Sequence, residues 1–394
     1  MRELDFSESN LLFRWMGVKG IWDLIQGEVV GNVRRRLEGF LRAEVLERVG
    51  CGRYERSGSR CGYRNGTYAR DLLTSYGWIE DLEVPRLREG WYETEVFEKY
   101  RRRQRRLDGV LLEAFLLGHS TRKTIRLFRQ AFGASVSAQT VSNVVKELDS
   151  EVKRFHGRAL RPDYRFVYLD GLWLTVSKPQ RLTKVLLVAV GVKSDGTQEI
   201  LSFQVVDKES ESCWWGFVAD MKHRGLGGES LEVIVSDANA GLLKAIQAHY
   251  PRVGHQRCTF HQAMSLAGHC EQSRHKRRIV QDALTVFAAQ TQTEARQRLH
   301  HFMQTWSDKE PKAVRNFLKG FDYCLTYLDY PEPWRRKLKT NNPIERTIEE
   351  LNRRLIPMRS FNNTRSIERI VYGLVAYVLN QQQVVPECQF TQNA

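Results

Sequence analysis

The chain has no apolar segment that approaches the roughly 18–20 residues a membrane-spanning helix needs. Its first residues, Met-Arg-Glu-Leu-Asp-Phe-Ser-Glu, contain no apolar block of the signal-peptide type. Its seven cysteines are an odd number scattered along 394 residues, a pattern that fits reduced thiols better than a disulfide framework. We therefore expect a cytoplasmic protein with access to DNA and no membrane partner.

Acidic residues are outnumbered: 46 Asp and Glu stand against 61 Lys and Arg, a net charge of +15. This balance excludes an acidic solvating protein, and 42% hydrophobic residues exclude a disordered chain. One basic run could be an ordinary solvated helix face, but several runs in so basic a chain indicate contact with a nucleic-acid phosphate backbone. The residues predicted to make it are Arg101, Arg102, Arg103, Arg105, Arg106, Arg122, Lys123, Arg126, Arg129, Arg277, Arg278, Arg346, Arg353 and Arg354.

The character of the sequence changes along the chain and predicts four segments. Residues 1–105 read as a basic helical and β module, and 106–160 as a helical DNA-binding region. Within the latter, a helix starting near Thr121, a break at Gly133 and a second helix capped by Ser137 are typical of a helix-turn-helix. An ordinary helical hairpin is the alternative. Residues 161–385 read as a catalytic domain with a helical insertion at about 262–335, and 386–394 as a tail.

Short apolar runs predict a mixed α/β fold in the third segment. Strands are expected at 165–170, 185–190, 200–206, 231–237 and 253–258, with a Trp-rich helix after the third strand and another helix at about 240–249. Three strands in succession followed by alternating helices and strands indicate a mixed central sheet. Trp214 and Trp215 are expected in its core, although one of them could stack on an extruded base.

Two aspartates end predicted strands of this sheet. Asp170 and Asp237 each follow an apolar run, and open α/β sheets place their ligands at that edge. Two neighbouring carboxylates repel each other unless a cation lies between them, and Mg²⁺ prefers oxygen ligands. The pair therefore predicts a metal site. Helix spacing after Asn342 offers Glu345, Glu349 or Glu350 as a third ligand and does not choose among them.

Ordered motifs make the chain resemble the Mutator-type insertion-sequence transposases, DDE recombinases with a ribonuclease-H-like core. The similarity covers about residues 60–380. It rests on stretches that stand in family order: Gly62-Tyr63-Arg64-Asn65-Gly66, Leu82-Glu83-Val84-Pro85-Arg86, Asp170-Gly171, Glu209-Ser210 with Trp214 and Arg224-Gly225-Leu226, Ser236-Asp237 with Gly241-Leu242, Cys258-Thr259-Phe260-His261, and Thr340-Asn341-Asn342-Pro343-Ile344-Glu345-Arg346.

This resemblance implies a DNA transposase and selects Glu345 as the third acid. Asp170, Asp237 and Glu345 would be both the catalytic residues and the ligands of two Mg²⁺ ions about 3.5–4 Å apart, with Mn²⁺ able to substitute. The reaction would be strand cleavage and strand transfer on double-stranded DNA. The partners would be the terminal inverted repeats and the target DNA, and a homodimer is expected because two ends must be paired.

Cys258 and His261 form a Cys-x-x-His element that the resemblance places beside the active site as auxiliary residues. Two ligands do not complete a tetrahedral zinc site, and the nearest further candidates are His255, His269 and Cys270. We therefore expect no zinc ion at this element. The alternatives to a transposase are a catalytically silent DNA-binding relative and a metal-dependent nuclease that hydrolyses DNA without joining it.

Overall fold

The computed structural model describes residues 6–55, 57–88, 94–98, 100–176, 182–227, 230–358, 361 and 363–379. The chain divides into two compact units, Met1–Val145 and Lys146–Ala394. Within the described ranges, no helix combines the length and apolar character that a membrane crossing requires. The predicted tail at 386–394 lies outside the described residues, and the predicted domain boundaries stay predictions.

The first unit begins with a 44-residue helix, α1 (Phe6–Val49), followed by an antiparallel hairpin of β1 (Arg64–Thr74) and β2 (Gly77–Leu87). Strand β2 runs through Pro85 and continues to Leu87. A proline has no N–H to donate and is tolerated on an edge strand, and both strands of a two-stranded sheet are edges. The helix and hairpin share a buried core that includes Leu41, Leu72, Ile79, Leu82 and Val84.

Three short helices complete this unit: α2 (Arg105–Leu116), α3 (Thr121–Phe132) and α4 (Ala138–Lys146). Gly133 ends α3 with a positive φ of 66°, a left-handed conformation that glycine adopts without strain. The hydroxyl of Ser137 accepts a hydrogen bond from the Thr140 amide at 3.0 Å, as a capping residue does. The predicted break and cap are therefore confirmed. The helices pack around Leu107, Leu111, Phe128 and Val141, which form one buried cluster together with Leu73.

The second unit contains α5 (Leu148–Gly157) and one five-stranded sheet. Its strands are β3 (Tyr164–Val176), β4 (Leu182–Lys193), β5 (Gln198–Val206), β6 (Val233–Ser236) and β7 (Gly254–Arg257). They lie in the order β5-β4-β3-β6-β7, with β5, β4 and β3 antiparallel and β3, β6 and β7 parallel. The prediction of a mixed central sheet in an α/β fold is confirmed.

Two helices cover one face of this sheet, α6 (Glu211–His223) and α7 (Ala240–His249). Trp214 is fully buried in the resulting core, together with Phe217 and Leu242. Trp215 is 44% exposed and its ring lies 4.6 Å from that of His249, so the expectation that it belongs to the core was wrong. Successive residues of a helix point about 100° apart, so only one of the two tryptophans can face the sheet.

Helices follow the sheet over residues 259–338. They are α8 (Thr259–His269), α9 (Lys276–Val286), α10 (Gln292–Trp306), α11 (Pro311–Leu318) and α12 (Glu332–Leu338), with short 3-10 turns between them. Two further helices are α13 (Asn342–Leu355) and α14 (Thr364–Leu374), the latter continued by a π turn at Val375–Leu379. The last helix contacts α5 and β5.

Candidate active site

Parallel pairing of β3 with β6 brings the two predicted aspartates side by side. Leu169 pairs with Ser236 as the last residue pair of the parallel ladder, and Asp170 and Asp237 follow directly in each chain segment. Asp237 leaves the sheet after β6, as predicted. Asp170 does not end its strand, because β3 runs on to Val176 through its antiparallel pairing with β4, where Asp170 faces Val188.

Asp170 is a strongly perturbed carboxyl group. Burial first, and the negative charge of Asp237 next, raise its pKa to about 7. The amide of Gly171 opposes this shift by donating a hydrogen bond of 2.7 Å to Oδ1 of Asp170. An acid that is costly to ionise beside a second carboxylate is typical of a site built for a cation or for proton transfer.

Asp237 is held by a residue that is distant in sequence. Nδ2 of Asn341, which is fully buried, donates a hydrogen bond to Oδ1 of Asp237. An asparagine just before a helix commonly caps it with its side chain. Asn341 does stand at the N-cap position, but its side chain makes no capping hydrogen bond. Its amide is used instead to fix the start of α13 against the end of β6.

His261 lies between the second and third candidate acids. Its Nδ1 is 2.8 Å from Oδ1 of Asp237, and its Nε2 is 3.8 Å from Oε1 of Glu345. The Asp237 carboxylate first, and the Cys258 sulfur next, raise the pKa of His261 to about 11. The side chains of Asp237, His261 and Glu345 are each about one-third exposed, at 34%, 39% and 36%, so the site is open to a large substrate.

The start of α8 is tied to the segment that leads into α13. The amide and hydroxyl of Thr259 both donate to the carbonyl oxygen of Lys339, at 3.1 Å and 2.9 Å. His261 and Glu345 each lie within the first turn or so after these anchored ends. The structure therefore brings Asp170, Asp237, Glu345 and His261 to one edge of the sheet.

In the part of the chain that the structure describes, Glu349 and Glu350, the other two acids of α13 that helix spacing allowed as a third metal ligand, form no ion pair or hydrogen bond with His261 or Asp237. Glu350 pairs with Arg353 at 3.0 Å and with Arg354, and the Arg354 guanidinium is the main cause that lowers the pKa of Glu350. Glu349 is exposed on the outer face of the helix. Of the three acids that spacing allowed, Glu345 is the one beside His261.

Three ligand atoms lie unusually close together. They belong to Asp237, Cys258 and His261, and all three lie within 4.8 Å of one another. Among the described residues, no other group of three or more Asp, Glu, Cys or His side chains is arranged in this way. Asp170 and Glu345 are outside that set. Of the further zinc candidates, His255 contacts Ser236 at 2.8 Å and His269 contacts the Ser265 carbonyl at 2.9 Å. The third ligand atom comes from Asp237, which the sequence analysis did not consider for this role.

Glu209 is a fourth carboxylate at this edge that the sequence analysis missed as a site residue. Its Oε1 accepts hydrogen bonds from Nε1 of Trp214 at 3.0 Å and from Nδ2 of Asn239 at 2.7 Å. A Cβ placed on Gly171 would lie 3.7 Å from Oε2 of Glu209, and the Glu209 charge adds to the raised pKa of Asp170. Its position between the end of a strand and the start of α6 was the signal that could have identified it.

Two of the predicted DNA-binding arginines, Arg101 and Arg103, instead form ion pairs with a buried carboxylate inside the first unit. Asp108 is 4% exposed and accepts hydrogen bonds from Nη1 of Arg101 at 2.7 Å and from Nε of Arg103. Both arginine side chains are mostly buried, at 19% and 24% exposure. A buried carboxylate needs such partners, and sequence alone does not distinguish an arginine that supplies one from an arginine in solvent.

The other predicted cations differ in exposure. Arg354 is largely buried at 17% exposure, and it pairs with Glu350 as noted above. Arg278 and Arg353 are exposed and make ion pairs with Asp282 and Glu350. On α3 all four cations lie opposite the buried Thr124 and Phe128. The exposed residues are Arg102, Arg105, Arg106, Arg122, Lys123, Arg126, Arg129, Arg277, Arg278, Arg346 and Arg353.

Comparison with known proteins finds insertion-sequence transposases that are similar over most of this chain. The transposase for insertion sequence element ISRM5 of Rhizobium meliloti is 34% identical over 343 residues, which cover 87% of this chain and 85% of that protein. The IS256 transposase in transposon Tn4001 of Staphylococcus aureus is 33% identical over 367 residues, 92% of each chain. A structure titled "Drosophila P element transposase strand transfer complex" aligns with 69% of this chain and 91% of that chain at 10% identity and a TM-score of 0.32, too low to support an argument about the fold.

A family model identifies the chain more directly. Residues 22–383 match the model described as "Transposase, Mutator family". This range includes both compact units except for their ends, and all of the candidate acids lie within it. The chain therefore belongs to the Mutator family of transposases.

Proposed function

We propose that this protein is a DNA transposase that binds the terminal inverted repeats of its insertion sequence and cleaves and transfers DNA strands in a metal-dependent reaction. The observation that carries the proposal is the convergence of three acids. Asp170 and Asp237 follow the last residue pair of the β3–β6 ladder, and His261 contacts both Asp237 and Glu345. The five-stranded mixed sheet supports the ribonuclease-H-like core that the resemblance implies.

The donor set fits a hard divalent cation. The negative charge of Asp237 disfavours ionisation of Asp170, and a cation between the two carboxylates would relieve this repulsion. Asp170, Asp237 and Glu345 would hold Mg²⁺, for which Mn²⁺ would substitute. Bound Mg²⁺ would neutralise charge on the scissile phosphate and make the attacking oxygen more nucleophilic.

The chain's own residues would orient the acids for this chemistry. The Gly171 amide fixes the carboxylate of Asp170, Asn341 fixes that of Asp237, and His261 holds Asp237 and Glu345 together. In cleavage, a water oxygen loses a proton and forms a bond to phosphorus as the bond to the 3′-oxygen breaks, and the 3′-oxygen takes up a proton. In transfer, that 3′-hydroxyl loses its proton, attacks a target phosphodiester and displaces another 3′-oxygen, which takes up a proton. Neither step needs a covalent protein–DNA intermediate.

The helical part of the first unit supports DNA binding. Gln139 and Asn143 lie on the exposed side of α4 and share a hydrogen bond of 2.7 Å, and side chains of these types read adenine in a major groove. The four exposed cations of α3 would contact phosphates beside it. We propose that α3 and α4 act as the helix-turn-helix, with 106–160 as the DNA-binding region, 161–385 as the catalytic domain and a homodimer pairing two ends.

A plasmid assay tests the proposal. Supercoiled DNA carrying the gene's native flanking sequence is incubated with wild type or Asp170→Asn, in Mg²⁺ or in EDTA, and the product ends are mapped. We expect nicks with free 3′-hydroxyls at the flanks, and joined strands, only with wild type and Mg²⁺. Hydrolysis without joining would instead support a nuclease. Binding at the flanks without cutting, in Mg²⁺ or Mn²⁺, would support a silent DNA-binding relative.

A further inference from the structure

Cys258 and His261 are placed around Asp237 by regular secondary structure. Cys258 follows β7 directly, and its amide donates to the carbonyl oxygen of Ser236 at 3.0 Å, which aligns it with the end of β6. His261 is three residues further on, in the first turn of α8. Their ligand atoms and a carboxylate oxygen of Asp237 lie within 4.8 Å of one another, so the thiol and the imidazole both face the aspartate.

We propose that Asp237, Cys258 and His261 form a site for a thiophilic transition-metal ion, Zn²⁺ in the first instance. Their ligand atoms lie within 4.8 Å of one another. Thiolate, imidazole and carboxylate are zinc ligands, whereas Mg²⁺ takes oxygen ligands and has no preference for sulfur. Three protein ligands leave one tetrahedral position for water or a phosphate oxygen.

The polar surroundings of the cysteine support this assignment. Cys258 is fully buried, and a buried cysteine in an apolar core needs no polar neighbour. Here the sulfur interacts with His261, which also meets a carboxylate. Nδ1 of His261 is buried and makes no hydrogen bond among the described residues, although Oδ1 of Asp237 is 2.8 Å away. A metal ion would satisfy all three groups at once.

Binding is balanced by release of protons. The thiol of Cys258 gives up its proton, and the imidazole of His261 gives up one when it is protonated, so each ligand donates a lone pair to the ion and the protons go to solvent. No oxidant or reductant is involved. The exposed side of His261 is the route by which the ion enters.

Use of Asp237 by this site has a regulatory consequence that rests on the proposed function. Oδ1 of Asp237 lies beside His261, so a zinc ion held by Cys258 and His261 would compete for this carboxylate with Mg²⁺ bound by Asp170 and Glu345. Zinc would therefore inhibit strand cleavage even when Mg²⁺ is in large excess.

Cobalt binding to the metal-free, full-length protein tests the site directly. We expect Co²⁺ to produce a near-ultraviolet thiolate-to-cobalt absorption band that saturates at one ion per chain and is removed by Zn²⁺. Cys258→Ser should abolish the band. Cys270→Ser is the matched control, because Cys270 is a half-buried cysteine at the other end of α8, and it should leave the band unchanged. A wild type without the band, or a band lost in Cys270→Ser and kept in Cys258→Ser, would overturn the proposal.

A second variant tests the site independently in case Cys258→Ser does not fold. His261 is partly exposed, and His261→Gln should keep the thiolate band while weakening Co²⁺ binding at least about tenfold, since one of three ligands is lost. Unchanged affinity would remove His261 from the site and contradict the proposal.

The cleavage assay separates the two proposals. In wild type with excess Mg²⁺, added Zn²⁺ should suppress cleavage over the concentration range in which it displaces Co²⁺. Cobalt binding without zinc inhibition would contradict the sharing of Asp237. A wild type that never cleaves DNA would contradict the proposed function, while the cobalt band would still support the metal site.

Discussion

Asn341 donates its buried side-chain amide to Asp237, a residue 104 positions earlier in the chain. This hydrogen bond joins the helix that carries Glu345 to the strand end that carries Asp237. The side chain of His261 provides a second link, because it contacts both Asp237 and Glu345.

Replacing Asn341 by alanine should reduce strand cleavage by about 10–100-fold, the usual cost of losing a hydrogen bond to a metal-ligating carboxylate. DNA binding should be retained, since Asn341 has no exposed surface. Asn342→Ala is the matched control, because Asn342 is exposed at the next position of the same turn. Equal cleavage rates in the two variants would show that the Asn341–Asp237 contact is dispensable.

Replacing Glu209 by glutamine should raise the Mg²⁺ concentration needed for half-maximal cleavage. A charge a few ångströms from the site is worth about 1 kcal/mol, which corresponds to a roughly fivefold change. Glutamine keeps the size of the side chain and an oxygen that can accept from Trp214 and Asn239. Glu211→Gln is the control, since Glu211 is exposed and pairs with Lys244 at 2.8 Å. A Mg²⁺ dependence that is the same as wild type in Glu209→Gln would exclude Glu209 from the metal site.

We expect the basic cluster at the start of α2 to contain two kinds of residue, those that stabilise the fold and those that bind DNA. Arg101→Ala with Arg103→Ala leaves the buried Asp108 without these partners, and should destabilise the fold by about 3–5 kcal/mol in denaturant unfolding. Replacing the exposed Arg102, Arg105 and Arg106 by alanine should leave stability nearly unchanged.

The same exposed triple variant should bind DNA more weakly and with a flatter salt dependence. Each lost phosphate contact should reduce the slope of log affinity against log salt concentration by about 0.9. Fluorescence anisotropy over a range of salt concentrations measures this slope. A slope equal to that of wild type would mean that these three arginines do not contact DNA.

His255 should make the fold sensitive to acid. Burial, with a contribution from the positive charge of Arg257, lowers the pKa of His255 to about 4 from its ordinary 6.5. Between these values the unfolded chain binds a proton that the folded chain does not, so stability falls as pH decreases from 6.5 to 4. This group accounts for at most roughly 3 kcal/mol of that loss.

Unfolding measured at several pH values in His255→Gln checks this origin. The variant should show a smaller loss of stability between pH 6.5 and 4 than wild type, whatever its stability at neutral pH. His223→Gln, at an exposed position of α6, should keep the wild-type pH dependence. Parallel curves for wild type and His255→Gln would contradict the assignment.

The sequence predicted the parts of the molecule that local patterns encode. Alternating or continuous apolar runs located all five strands of the sheet, and α7 was predicted with its observed bounds, 240–249. It could not show that β3 passes through Asp170 to Val176, because that extension depends on pairing with β4. It also could not show that the Asn341 amide would contact Asp237 rather than cap its own helix, since both uses suit an asparagine.

Because β3 and β4 form a long hairpin, the backbones of the three candidate acids differ in how firmly they are held. The backbone of Asp170 is clamped within an uninterrupted ladder on the β4 side, whereas Asp237 begins the loop between β6 and α7 and Glu345 lies on a helix end. Asp170 is therefore a fixed point of the site. In the proposed reaction, adjustment to successive phosphodiesters would come from the Asp237 loop and from α13, which the Asn341–Asp237 hydrogen bond couples to each other.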